Sequence, residues 1–150
     1  MMKNITSKTI FIFPLLSMLA CTLFSSGVVE SAFAESAMDV KQNSGFSEAQ
    51  RFEGKWLRPD GGYKLVIEDI KPDGSLKASY YNPKKINVSV SQWTIEEDRP
   101  QLFVELRDTN YPGSTYTLVY TKEKDVLEGT YFLAAQRQTL EVKFIKIPEN

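Results

Sequence analysis

Histidine is absent from this 150-residue chain, and cysteine occurs once. The first absence excludes Ser-His-Asp and Cys-His nucleophile pairs, a histidine general base and the ordinary histidine-bearing zinc site. The second excludes an internal disulfide and a four-thiolate metal site; Cys21 stands alone in an apolar stretch near the amino terminus. An excess of one charge is lacking too. The 18 basic and 19 acidic residues nearly balance, which argues against a nucleic-acid or anionic-membrane binder. There is no phosphate loop and no metal-ligand spacing. Glu68-Asp69 would point to opposite faces of a strand, and Glu96-Glu97-Asp98 falls at a turn, so neither forms a convergent acid/base pair. No catalytic residue, metal ligand or cofactor is therefore expected, and the chain does not read as an enzyme. What is present is ordinary: 42% hydrophobic and 25% charged residues, at a length that suits one domain.

Lys3 and Lys8 precede an uncharged run from Thr9 to Val29, and small residues then lead to Ala32-Phe33-Ala34 before Glu35. A basic start, an apolar middle and an Ala-x-Ala end predict a secretory signal peptide over 1–34, cut after Ala34, and hence a periplasmic or secreted protein. Two alternatives compete. The run is about long enough for a retained membrane anchor, although Pro14, Ser17 and Thr22 interrupt it. Met18-Leu19-Ala20-Cys21 loosely resembles the lipobox of bacterial lipoproteins, but Leu19 is bulky where a small residue is usual, and Thr22-Leu23-Phe24 continues the apolar run.

Residues 35–51 lack a long periodic pattern and read as a flexible tether, in which Ser47-Glu48-Ala49-Gln50 is a capping-box pattern that predicts one helical turn. Residues 52–148 alternate instead. Candidate strands are Lys55–Arg58, Gly62–Ile70, Ser75–Asn82, Ile86–Glu96, Gln101–Asp108, Ser114–Thr121, Val126–Ala134 and Gln138–Ile147. Turn chemistry separates most of them, at Pro59-Asp60-Gly61, Pro72-Asp73-Gly74, Asn82-Pro83, Asp98-Arg99-Pro100, Asn110–Gly113 and Lys124-Asp125. No segment is left for a crossover helix. The expected fold is all-β: an eight-stranded antiparallel up-and-down meander closed into a barrel, with a sandwich as the other architecture. Inward sets such as Leu102, Val104 and Leu106, or Leu140, Val142 and Phe144, are clear from parity. The fourth strand changes parity between Val90 and Trp93, which predicts a bulge near Ser91-Gln92.

Phe52-Glu53-Gly54-Lys55-Trp56, at the start of this meander, resembles the Gly-x-Trp opening of the calycins, the superfamily that holds lipocalins and avidins. Gly74–Tyr80 and Leu127–Tyr131 are similar to avidin segments. The resemblance implies an eight-stranded barrel with Trp56 plugging its closed end. It also places Tyr80 and Asn82 where avidins carry a tyrosine and a serine that contact the biotin ring. Arg58 stands where an asparagine would be expected, and the last three strands lack the tryptophans that wall a biotin pocket. The likeness does not extend to biotin binding.

Alternate turns of such a barrel lie at the same end. The end formed by Pro59–Gly62, Asn82–Lys85, Asp108–Gly113 and Ala134–Arg137 is the open one, and the inward tyrosines sit toward it. The candidate ligand-binding residues are Tyr63, Tyr80, Asn82, Tyr116 and Tyr131, since a tyrosine offers an apolar face and a hydroxyl to a small, partly apolar molecule. The competing explanation is that these tyrosines only fill a narrow barrel. On the outer face Phe103, Val119 and Phe132 interrupt the polar pattern on adjacent strands, a candidate surface for homo-oligomerisation. Two functions fit these features: an exported small-molecule-binding protein, or a cell-envelope interaction module such as an inhibitor of a secreted protease or lysozyme.

Overall fold

Each alternating stretch of the chain pairs with its neighbour in the computed structural model, which describes residues 43–148. The expected signal peptide, the lipobox-like segment and the first part of the expected tether lie outside the described residues. The strands are β1 (Gly54–Arg58), β2 (Tyr63–Glu68), β3 (Lys77–Asn82), β4 (Lys84–Ile86), β5 (Val88–Glu96), β6 (Arg99–Asp108), β7 (Tyr111–Thr121), β8 (Val126–Leu133) and β9 (Gln138–Lys146). All pairings are antiparallel, in the order β4-β3-β2-β1-β9-β8-β7-β6-β5. β1 meets β9 through Trp56 opposite Lys146 and Leu57 opposite Ile145, so the first and last strands join. The two ends of the sheet, β4 and β5, are consecutive in the chain. The result is an up-and-down meander rolled into a nearly closed barrel.

Nine strands stand where eight were expected, because the stretch Ile86–Glu96 breaks at Asn87. The backbone N–H of Asn87 donates to the Asp108 carboxylate at 3.0 Å, and its carbonyl accepts from the Arg107 N–H at 3.0 Å. Asn87 is thus held by β6, while Lys84–Ile86, whose first two residues the sequence places in a turn, pairs back onto β3. The bulge also lies elsewhere than expected. Val88 faces Leu106 and Val90 faces Glu105, so the extra residue is Ser89 rather than one at Ser91-Gln92. Ser89 stays at this irregular point through its hydroxyl, which donates to the Glu105 carboxylate at 2.9 Å. Arg99 and Pro100 likewise belong to β6, the hairpin being made by Glu97 and Asp98 with φ of 49° and 63°. Two successive positive φ values match the twist of the flanking strands.

The remaining seam runs between β5 and the segment before β3. There the Trp93 N–H donates to the Gly74 carbonyl at 2.8 Å, the Trp93 indole N–H to the Lys71 carbonyl at 2.8 Å, and the Ser91 hydroxyl to the Leu76 carbonyl at 2.9 Å. Gly74 has φ +89°, and a Cβ there would fall 2.8 Å from the Trp93 carbonyl, so glycine permits this close approach. The closed end is stoppered from outside the meander. Residues 43–49 are α-helical and continue into a 3-10 turn over Gln50–Phe52. Ala49 and Phe52 are fully buried, Phe46 stacks on Trp93 at 6.2 Å, and the Trp56 indole N–H donates to the Phe52 carbonyl at 2.7 Å. Between this stopper and the opposite end, Trp56, Leu65, Ile67, Leu102, Leu118 and Phe144 fill the interior.

Candidate functional site

Parity within β1 sets the first member of the site. Trp56 points inward, so Arg58, two residues on, points inward as well, at the end of the barrel opposite the helix. A buried guanidinium needs anionic and hydrogen-bonding partners. Arg58, with 9% of its side chain exposed, has three kinds. Its Nη1 donates to the Tyr116 hydroxyl at 3.2 Å; its Nε and Nη2 donate to the Asp60 carboxylate at 2.8 and 2.7 Å; and its plane lies 4.9 Å from the Tyr63 ring centre and 5.5 Å from that of Tyr131. Cation–π contacts of this kind stabilise a desolvated guanidinium. Asp60 comes from the Pro59–Gly62 turn, and its side chain is 58% exposed.

The sequence-predicted tyrosines converge on the same point. Tyr116 stacks on Tyr131 with centroids 4.3 Å apart, tilts against Tyr80 at 5.6 Å, and shares a 2.9 Å hydroxyl–hydroxyl hydrogen bond with Tyr80. Tyr63 stacks on Tyr80 at 6.3 Å. Tyr80 and Tyr116 are essentially inaccessible to water and fill the barrel. Tyr63 is half-buried at the rim, and Asn82 is exposed, its amide donating to the Tyr111 hydroxyl at 2.6 Å. Asn82 therefore belongs to the rim and not to the inner cluster. Among the described residues no buried side-chain nitrogen or oxygen lacks a hydrogen bond.

Three members of the cluster are not among the candidate ligand-binding residues read from the sequence. Arg58 is visible through its parity with Trp56. Asp60 carries no sequence signal beyond its turn. Tyr111 is hidden by a second irregularity: Leu106 faces Ser114 and Arg107 faces Pro112, leaving Gly113, with φ +93°, as an extra residue in β7. That insertion reverses the alternation and brings Tyr111 over Tyr80, with centroids 6.1 Å apart.

The electrostatics follow from burial. Desolvation opposes the Arg58 charge, but the Asp60 hydrogen bonds and charge, with Tyr116, outweigh it and hold the guanidinium ionised above its ordinary range. The Arg58 hydrogen bond in turn holds the Asp60 carboxyl below the usual carboxylate range. Burial pushes the Tyr116 hydroxyl up to about 12 and raises those of Tyr80 and Tyr131. The cluster is therefore an Arg58–Asp60 ion pair beside the neutral hydroxyls of Tyr80, Tyr116 and Tyr131 at ordinary pH, an arrangement able to bind and orient a group.

On the outer face the register spaces the apolar residues apart. Phe103 faces Thr117, Val119 faces Gln101, and Phe132 faces Thr115. Threonines thus stand among them, and Phe132 is the most exposed, at 38%. The barrel is compatible with the calycin-like architecture that Gly54-x-Trp56 suggests. Compared with protein-family models, with curated proteins and with solved structures, the chain matches none of them, so that likeness is one of architecture alone.

Proposed function

We propose that this is an exported, non-enzymatic protein that binds a small, partly apolar molecule at the mouth of its barrel. The reading of export rests on the signal-peptide pattern of residues 1–34. What supports binding is one observation: a buried cation and several aromatic rings meet at the end of the barrel that the helix leaves uncovered. Because Tyr80 and Tyr116 fill the interior, the ligand would lie against the rim, touching Tyr63, Asn82, Tyr111 and the outer edge of Tyr131. Native mass spectrometry of the protein purified from the cells that make it tests this. A small molecule that stays bound to the wild type and is lost from Tyr63→Ala supports the proposal; a ligand-free wild type in repeated preparations opposes it.

The filled interior also favours the second reading, a cell-envelope interaction module such as an inhibitor of a secreted hydrolase. In that case the protein would engage a partner through exposed loops, or a second copy through Phe103, Val119 and Phe132. Sedimentation at rising concentration separates these, since self-association through that face would be abolished by Phe132→Lys.

A further inference from the structure

Asp60 and Arg58 are an unequal pair. The cation is walled in: 9% of its side chain is exposed, two tyrosine rings flank it, and Tyr116 takes one of its N–H groups. Burial of that kind commits the mouth to having an anion beside Arg58. The anion that serves is, by comparison, open to solvent. Asp60 lies two residues along the chain, in a turn completed by Gly61 and Gly62, and 58% of its side chain is in water. Water competes for the exposed carboxylate, while the buried guanidinium has no such alternative. Its two oxygens meet Nε and Nη2, one edge of the guanidinium fork, in the two-pronged geometry that any carboxylate could adopt.

From this asymmetry we infer that Asp60 is a built-in stand-in for the ligand, and that the mouth takes a molecule bearing a carboxylate, which displaces Asp60 from Arg58. The inference rests on the small-molecule reading above and narrows it to a chemical class. The displaced Asp60 turns into water, and the incoming carboxylate inherits the Nε and Nη2 hydrogen bonds. The apolar part of the ligand meets the rim rings of Tyr63 and Tyr111. With no ligand present Asp60 keeps the buried cation neutralised, so the empty barrel remains folded. The same arrangement sets selectivity: a neutral molecule of equal shape gains the aromatic contact but leaves Asp60 in place.

Sodium benzoate and its neutral analogue benzamide are suitable probes, titrated into 15N,13C-labelled protein and followed at the Arg58 Nε–H and the Tyr63 ring C–H signals. Benzoate is expected to move both, and benzamide to bind at least about tenfold more weakly. In Asp60→Asn the internal competitor loses its charge. If Asp60 occupies the fork nine-tenths of the time or more, benzoate affinity rises about tenfold or more. As an independent readout, benzoate is expected to raise the melting temperature of Asp60→Asn more than that of the wild type, because the variant has a buried cation to neutralise. Benzoate binding Asp60→Asn no more tightly than wild type would overturn the proposal. So would benzamide matching benzoate at the same resonances; in that event mouth binding stands and only the carboxylate class falls. If neither probe moves a mouth signal in either protein, the carboxylate proposal is wrong, and the broader reading falls with it only where native mass spectrometry also finds no ligand.

Discussion

Arg58 sits where a small β-barrel would ordinarily place another apolar side chain, and every contact around it serves to hold the charge there. Its hydrogen bond to the Tyr116 hydroxyl ties it to Tyr80 as well, since the two hydroxyls are bonded to each other. Tyr116→Phe removes the shared oxygen and leaves both partners short of a bond inside the barrel. The expected loss is about 1–3 kcal/mol, measured by urea unfolding. Tyr81→Phe, on the half-buried outward side of the same strand as Tyr80, is the control and should stay within about 0.5 kcal/mol of wild type. Ionisation reads out the same cluster. A spectrophotometric titration of the seven tyrosines should leave Tyr80 and Tyr116 protonated at about pH 11, one unit above the ordinary tyrosine pKa near 10.

At the scale of elements, alternation made β2, β6, β8 and β9 legible, because one buried face on a paired strand imposes a strict two-residue period. It failed where a residue was inserted. The extra Ser89 and Gly113 each reverse the parity across the insertion, so Val90 turns outward and Tyr111 turns toward the mouth. The broken alternation of the fourth predicted strand did announce a bulge, though near Ser91-Gln92 rather than at Ser89. The one in β7 broke no visible period, although a glycine in mid-strand is the usual mark of such a place. Arg58 is inward by parity, but a charged side chain on a strand ordinarily argues for the outside, and the two signals conflict. Gly129 shows the opposite constraint: a Cβ there would collide with the Thr117 carbonyl of the neighbouring β7. Gly129→Ala should therefore destabilise the barrel by about 1–3 kcal/mol in denaturant unfolding. The helical stopper makes a matching prediction. Phe52→Ala, at a fully buried position, should cost about 3–5 kcal/mol, and Phe46→Ala, half-buried against Trp93, clearly less.

The whole molecule is a barrel stoppered at one end by a helix and at the other by an arginine within tyrosines. Its stability should accordingly fall at alkaline pH. The folded chain keeps the Tyr80, Tyr116 and Tyr131 hydroxyls protonated above the pH at which the unfolded chain loses them. Their contribution is complete below about pH 10 and declines as pH rises beyond it, so the urea midpoint at pH 11 should lie below that at pH 8. Function, on this account, resides at the arginine end. The most direct test compares the Arg58 Nε–H resonance in protein as purified from its own cells with that of the same protein unfolded, washed and refolded without added ligand. A resonance that differs between the two, with the changes confined to Tyr63, Asn82, Tyr111 and Tyr131, is the predicted result. Identical spectra, from protein shown to be ligand-free before the wash, would contradict a binding mouth.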